Sequence, residues 1–123
     1  MRDCPELGGS CLSDLVILQR VYDMILYGNQ ALMHFPRSER YALAADIKKS
    51  MYALLRLCVA ANKRYFKKTT LQEIDVELET LRTLLRLSAD PQTRYLPLRK
   101  YEHWSKLLGE IGCLLGGWIK SQK

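Results

Sequence analysis

The sequence predicts an all-α fold, a single-domain antiparallel up-and-down four-helix bundle. Three observations carry that expectation. Apolar residues recur every three or four positions in four separate segments. Short breaks carrying proline or capping residues divide those segments, and no stretch alternates with the period of two that a strand requires. Short connections between helices of similar length favour antiparallel neighbours.

Residues 1–11, with Pro5, Gly8, Gly9 and Ser10, read as a flexible lead before a bundle over 12–121. A first helix is expected over about 13–34, with Ser13 accepting hydrogen bonds from the free N–H groups of the first turn. Its apolar stripe is Leu15, Leu18, Tyr22, Ile25 and Leu32, and Pro36 disfavours helix at the residue before it. Arg37 and Ser38 open a second helix, over about 38–68, lined by Leu43, Ile47, Met51, Leu54, Cys58, Ala61 and Tyr65. Thr70 and Glu73 then fit a capping box, in which each side chain satisfies a free backbone donor of the other. That box opens a third helix over about 70–89. Its stripe is Leu71, Ile74, Leu78, Leu81 and Leu85, with Leu84 beside it, and Asp90-Pro91 stops it. Pro97 suits the first turn of a fourth helix, over about 97–121, lined by Tyr101, Trp104, Leu108, Ile111, Leu115 and Trp118.

The chain has 123 residues, of which 48% are hydrophobic and 26% charged, ordinary values for a folded domain. That length suits one domain with a sizeable core. Its net charge is +6. Such an excess favours phosphate backbones, anionic membrane surfaces or acidic proteins without choosing among them. The excess is local: residues 37–68 carry nine basic and two acidic residues, whereas 69–90 carry two basic and five acidic. The acidic segment is suited to pairing with a basic helix, in the same chain or in another copy.

Within the second helix Lys49, Arg56, Lys63 and Lys67 are spaced by seven, seven and four residues. At about 100° per residue they return to nearly one azimuth, roughly 160–200° from Ile47 and so opposite the core. No acid shares the stripe. A solvated outer face explains such a row in general, but usually mixes Glu with Lys; a polyanion partner explains an unneutralised one better. Lys49, Arg56, Lys63 and Lys67, with Arg64 and Lys68 at the helix end, are the candidate nucleic-acid contacts.

In the fourth segment Gly109, Gly112 and Gly116 lie within about 60° of one another and leave a groove without side chains. Core packing accounts for the groove as well as a subunit contact does. Beside it Trp118 is a candidate interface residue, since Trp is enriched at interfaces.

Chemistry has little to work with. The cysteines Cys4, Cys11, Cys58 and Cys113 form no Cys-x-x-Cys pair, and neither His34 nor His103 stands at ligand spacing from them. Reduced thiols are the expectation, with Cys4 and Cys11 open to oxidation. Glu102 and His103 are adjacent and diverge on a helix, so the Glu-x-x-His pattern of di-iron bundles is missing. No nucleophile elbow, Walker loop or dinucleotide fingerprint occurs. The chain therefore reads as a non-enzyme with no catalytic residue, metal or cofactor. The opening residues lack the apolar run of a signal peptide. The apolar stretch 111–119 falls far short of the roughly 20 residues that span a bilayer. A membrane-surface role ranks behind the others, because the core already claims the apolar stripe.

Two strings carry a family resemblance. LGEIGCLLGGWIK at 108–120 resembles the C-terminal signature of the accessory variability proteins (Avd) of diversity-generating retroelements, and FPRSER at 35–40 resembles the same family's first interhelical connection. The resemblance spans about 12–121. Bundle proteins encoded in ribosomal intervening sequences share the fold and part of both strings; the basic excess favours Avd. The resemblance implies a four-helix bundle assembled as a barrel-shaped homopentamer. It also implies binding to the retroelement's reverse transcriptase and to RNA or DNA, in support of error-prone copying of a template RNA into cDNA, in the cytoplasm of a bacterial or phage-infected cell. It supplies no catalytic residue. The alternative is a non-catalytic assembly protein of the intervening-sequence type. A reverse-transcriptase gene and near-identical repeats beside this gene favour the first, and a place inside a ribosomal RNA gene the second.

Overall fold

The computed structural model describes residues 10–121, with side chains from 15 onward; the expected lead falls almost wholly outside them. Four helices follow in order: α1 (Ser10–Leu32), α2 (Leu43–Lys63), α3 (Lys68–Ala89) and α4 (Leu98–Lys120). Each packs against its neighbours in sequence, and α1 closes on α4. The connectivity is therefore the expected up-and-down bundle.

The core of α3 and α4 is the expected one. Leu71, Ile74, Leu78, Leu81 and Leu85 are buried from α3, and Trp104, Leu108, Ile111, Leu115 and Trp118 from α4. From α2, Ile47, Met51, Leu54, Cys58 and Ala61 join them. Burial pushes the free Cys58 thiol up to about 12. Cys113 is disulfide-bonded, against the expectation of reduced thiols. A pairing closed by tertiary packing leaves no mark in cysteine spacing.

α1 buries only part of the expected stripe: Ile25 and Leu32 are buried and Leu18 half-buried, but the inward face is turned by roughly a quarter turn away from Leu15 and Tyr22. Leu15 is 56% and Tyr22 54% exposed, and the buried row is Ile17, Val21, Met24, Ile25, Ala31 and Leu32. Ile17 lies two residues, about 200°, from Leu15. The centre of the bundle decides between the faces. The Trp104 indole is fully buried and donates through Nε1 to Met24 Sδ at 3.3 Å. Tyr27 meets it edge-on at 6.1 Å. Gly28 faces the same spot: a Cβ there would lie 2.6 Å from both Trp104 Cζ2 and Met51 Sδ. Only a bare backbone fits between the two side chains.

The helix ends differ from expectation in three places. α1 spans Ser10–Leu32, so Ser13 lies inside it; the expected cap there concerns a side chain outside those described. Its C-terminal turn tightens through i→i+3 bonds from Met33, His34 and Phe35 N–H groups before Pro36. Arg37–Glu39 form a separate 3-10 turn, and α2 starts only at Leu43, where Glu39 Oε1 accepts a long 3.5 Å bond from the Leu43 N–H. α2 also stops at Lys63, with Arg64 extended. A helix over 38–68 would be about 46 Å long against about 34 Å for α1, and would overhang its partners. Tyr65 consequently leaves the apolar stripe and stands 88% exposed.

The capping box does not form. α3 starts at Lys68, with Lys67 at the cap position and no side-chain cap. Thr70 lies in the first turn, buried, and its Oγ1 accepts from Arg64 Nη1 at 2.7 Å. At the other end of α3, Thr93 Oγ1 donates to the Leu87 carbonyl at 2.6 Å, and the Tyr95 and Leu96 N–H groups bond to the Ser88 carbonyl. Those bonds fold the connection back so that Leu96 plugs the end of the core. The Tyr95 hydroxyl donates to Glu39 at 3.4 Å, and partial burial together with that carboxylate raises its pKa.

Two stability measurements test this packing. Gly28→Ala, normally favourable inside a helix by about 0.5–1 kcal/mol, should instead destabilise by about 1–2 kcal/mol through overpacking. A denaturation midpoint at or above wild type would show that Met51 and Trp104 move aside freely. Thr70→Ala should cost on the order of 1 kcal/mol by removing the acceptor that ties Arg64 to α3, whereas Glu73→Ala should cost nothing. Equal losses from both would restore the capping box.

Candidate nucleic-acid interface

α2 supplies the frame of the candidate surface. Its buried row fixes its rotation, so Lys49, Arg56 and Lys63 all emerge exposed on the outer side, joined by exposed Lys48. At 1.5 Å per residue the row from Lys49 to Lys63 is about 21 Å long. Among the described residues the ion pairs are Arg20–Glu110 at 2.9 Å and Arg82–Glu79 at 3.9 Å; neither involves an α2 cation. The acids of α3 are thus not paired with α2 in this chain. Glu77 instead accepts from Ser50 Oγ at 2.7 Å.

The other three candidates lie past the end of α2 and play different parts. Lys67 leaves the expected stripe: Nζ donates to the Ala61 carbonyl at 2.6 Å and the Arg64 carbonyl at 2.7 Å. It caps the C-terminal end of α2, where unpaired carbonyls collect negative partial charge. Arg64 is held on Thr70. Lys68 is exposed at the first position of α3. Of the six, Lys49, Arg56 and Lys63 share one outward row; Arg64 and Lys67 brace the turn.

That turn carries two residues the apolar periodicity concealed. Tyr65 is 88% and Phe66 84% exposed, with ring centroids 4.8 Å apart and planes at 84°. The signal was present in the string KRYFKK at 63–68, where two aromatics sit among four cations.

The glycines of α4 do not act as one groove. A Cβ on Gly112 would lie 2.6 Å from Arg82 Nη2, which rests there to donate to the Leu108 carbonyl at 3.3 Å. Gly112 is a close-approach site within the chain. Among the described residues nothing comes within 4 Å of a Cβ built on Gly109, Gly116 or Gly117. Trp118 is buried in the core instead of standing beside them, and its Nε1 has no hydrogen-bond partner.

Among the described residues no three His, Cys, Asp or Glu side chains gather to hold a metal ion. No described helix is long and apolar enough to cross a membrane.

No curated protein sequence matches the chain. A family profile described as bAvd-like matches residues 15–122, which takes in most of α1, all of α2, α3 and α4, and both the 35–40 and 108–120 strings. With a match across nearly its whole length, the chain belongs to the bAvd-like family and is an Avd-family protein.

Proposed function

We propose that the chain is a nucleic-acid-binding accessory subunit of a diversity-generating retroelement, partnering its reverse transcriptase and the template RNA or cDNA during mutagenic copying. The observation that carries the nucleic-acid part is the outward row Lys49, Arg56 and Lys63, free of acids and outside every described ion pair. Family membership supports the retroelement part. Contacts of this kind reach phosphates and carry no base information, so binding tolerates sequence change.

Changing Lys49, Arg56 and Lys63 together to Gln should leave helix content intact, since all three lie outside the core. Each phosphate neutralised releases condensed counterions. The log–log salt slope of binding should therefore fall by roughly three on duplex DNA and by about two on a single strand. A triple variant with unchanged affinity and slope would overturn this assignment and move the contact to Arg94, Arg99, Lys100 and Lys106.

We also propose self-association into a closed ring, of five subunits on the family resemblance. Each interior helix glycine costs up to about 1 kcal/mol against Ala, and no described residue covers Gly109, Gly116 or Gly117. On α1, Leu15, Tyr22, Leu26 and Met33 stand exposed within about 40° of one azimuth. A bulky row on one helix and bare backbone on another are unlike surfaces, so contact between copies is head-to-tail, the kind that closes into a ring when the rotation between copies permits. Gly116→Leu should lower the mass in solution while helix content is retained. An unchanged oligomer mass would remove α4 from the contact.

A further inference from the structure

We propose that Tyr65 and Phe66 form a stacking platform for unpaired bases, so that this surface takes a single strand in preference to a duplex. The proposal rests on the nucleic-acid reading above and adds the class of ligand and a second kind of contact.

The two rings are the largest side chains of the α2–α3 turn, and both stand in solvent. They are held there. Arg64 is extended and tied to Thr70, while Lys67 Nζ bridges the Ala61 and Arg64 carbonyls on either side of α2's end. The turn is therefore braced from both flanks, and both rings stand clear of the core. Packed edge to face, the pair still keeps most of its ring surface in solvent. Two exposed aromatic faces at the end of a row of cations match what a single strand offers: phosphates along its length and bare base faces beside them. A duplex keeps its base faces stacked on one another and offers none.

A bilayer surface is the other partner that takes basic, aromatic turns. The geometry favours the strand. The cations run about 21 Å along α2 up to the rings, a span of several consecutive phosphates, so phosphate and base contacts fall on one polymer. A flexible polymer follows the whole row.

The test compares binding of the full chain to short oligo(dT), to a DNA duplex of equal length and to phosphatidylserine vesicles. The double variant Tyr65→Ala/Phe66→Ala should lose about tenfold or more in affinity for oligo(dT), and change little for the duplex. Its salt slope should match wild type, because stacking releases no counterions. Tyr65→Phe/Phe66→Trp should keep single-strand affinity, and its exposed Trp should be quenched on binding. Both positions are exposed, so helix content and thermal midpoint serve as the folding control.

Retained oligo(dT) affinity in the double alanine variant would overturn the platform and leave the phosphate row standing. Equal losses on strand and duplex would overturn it too. Loss of vesicle binding with oligo(dT) binding intact would assign the rings to a membrane surface. A wild-type chain that binds neither strand nor duplex would remove the nucleic-acid reading as a whole.

Discussion

The Trp104 indole presses on the backbone of α1, and that contact sets the arrangement of the bundle. The ring is fully buried, its N–H is spent on Met24 sulfur, and the space beside it admits no Cβ at position 28. Cores are packed to crystal-like density, so a helix facing such a ring must present its smallest residue there. α1 therefore rotates to place Gly28 inward. Ile17, Val21, Met24 and Ala31 follow it into the core, and Leu15, Tyr22, Leu26 and Met33 are left in water. An internal packing constraint thus creates an external apolar row on the far side of the same helix.

The same fact explains what the sequence revealed and what it hid. α3 and α4 each carry one continuous apolar stripe against a polar remainder, so periodicity alone places their buried faces. α1 is apolar on two faces. Weighting by size selects Leu15 and Tyr22, because Gly28 and Ala31 contribute almost nothing to a hydrophobic pattern although they sit at the closest contact. At the end of α2 the pattern continues past the helix: Tyr65 and Lys67 stay in phase with the buried and charged rows respectively. Periodicity cannot register that the partner helices have run out of length. Thr70 and Glu73 satisfy the spacing of a capping box, but spacing does not show that Thr70 faces the core and already serves Arg64.

For the candidate surface, Lys49, Arg56 and Lys63 were legible because an exposed charge needs only the local helical period to be placed. Tyr65 and Phe66 were not, since reading the helix through them buries one of the pair. Counting cations in the 63–68 string also overstates the charge offered outward. Lys67 spends two of its three N–H donors on α2's carbonyls and Arg64 one on Thr70. In the glycine-rich end of α4, one residue type holds two environments. Gly112 admits a neighbouring arginine to the backbone, while no described residue reaches Gly109, Gly116 or Gly117. Identical residues at helical spacing do not share a role when their azimuths differ by even a fraction of a turn.

Cys58 gives the bundle an internal clock. The thiol lies on α2's buried face, free, and its ionisation is pushed up to about 12 by burial. Alkylating reagents attack thiolate, which in the closed bundle is both scarce and walled off. Labelling can proceed only when α2 parts from its neighbours, so its rate reports how often the bundle opens. Native-state opening in this protein is therefore measurable through a residue already present, without adding a probe.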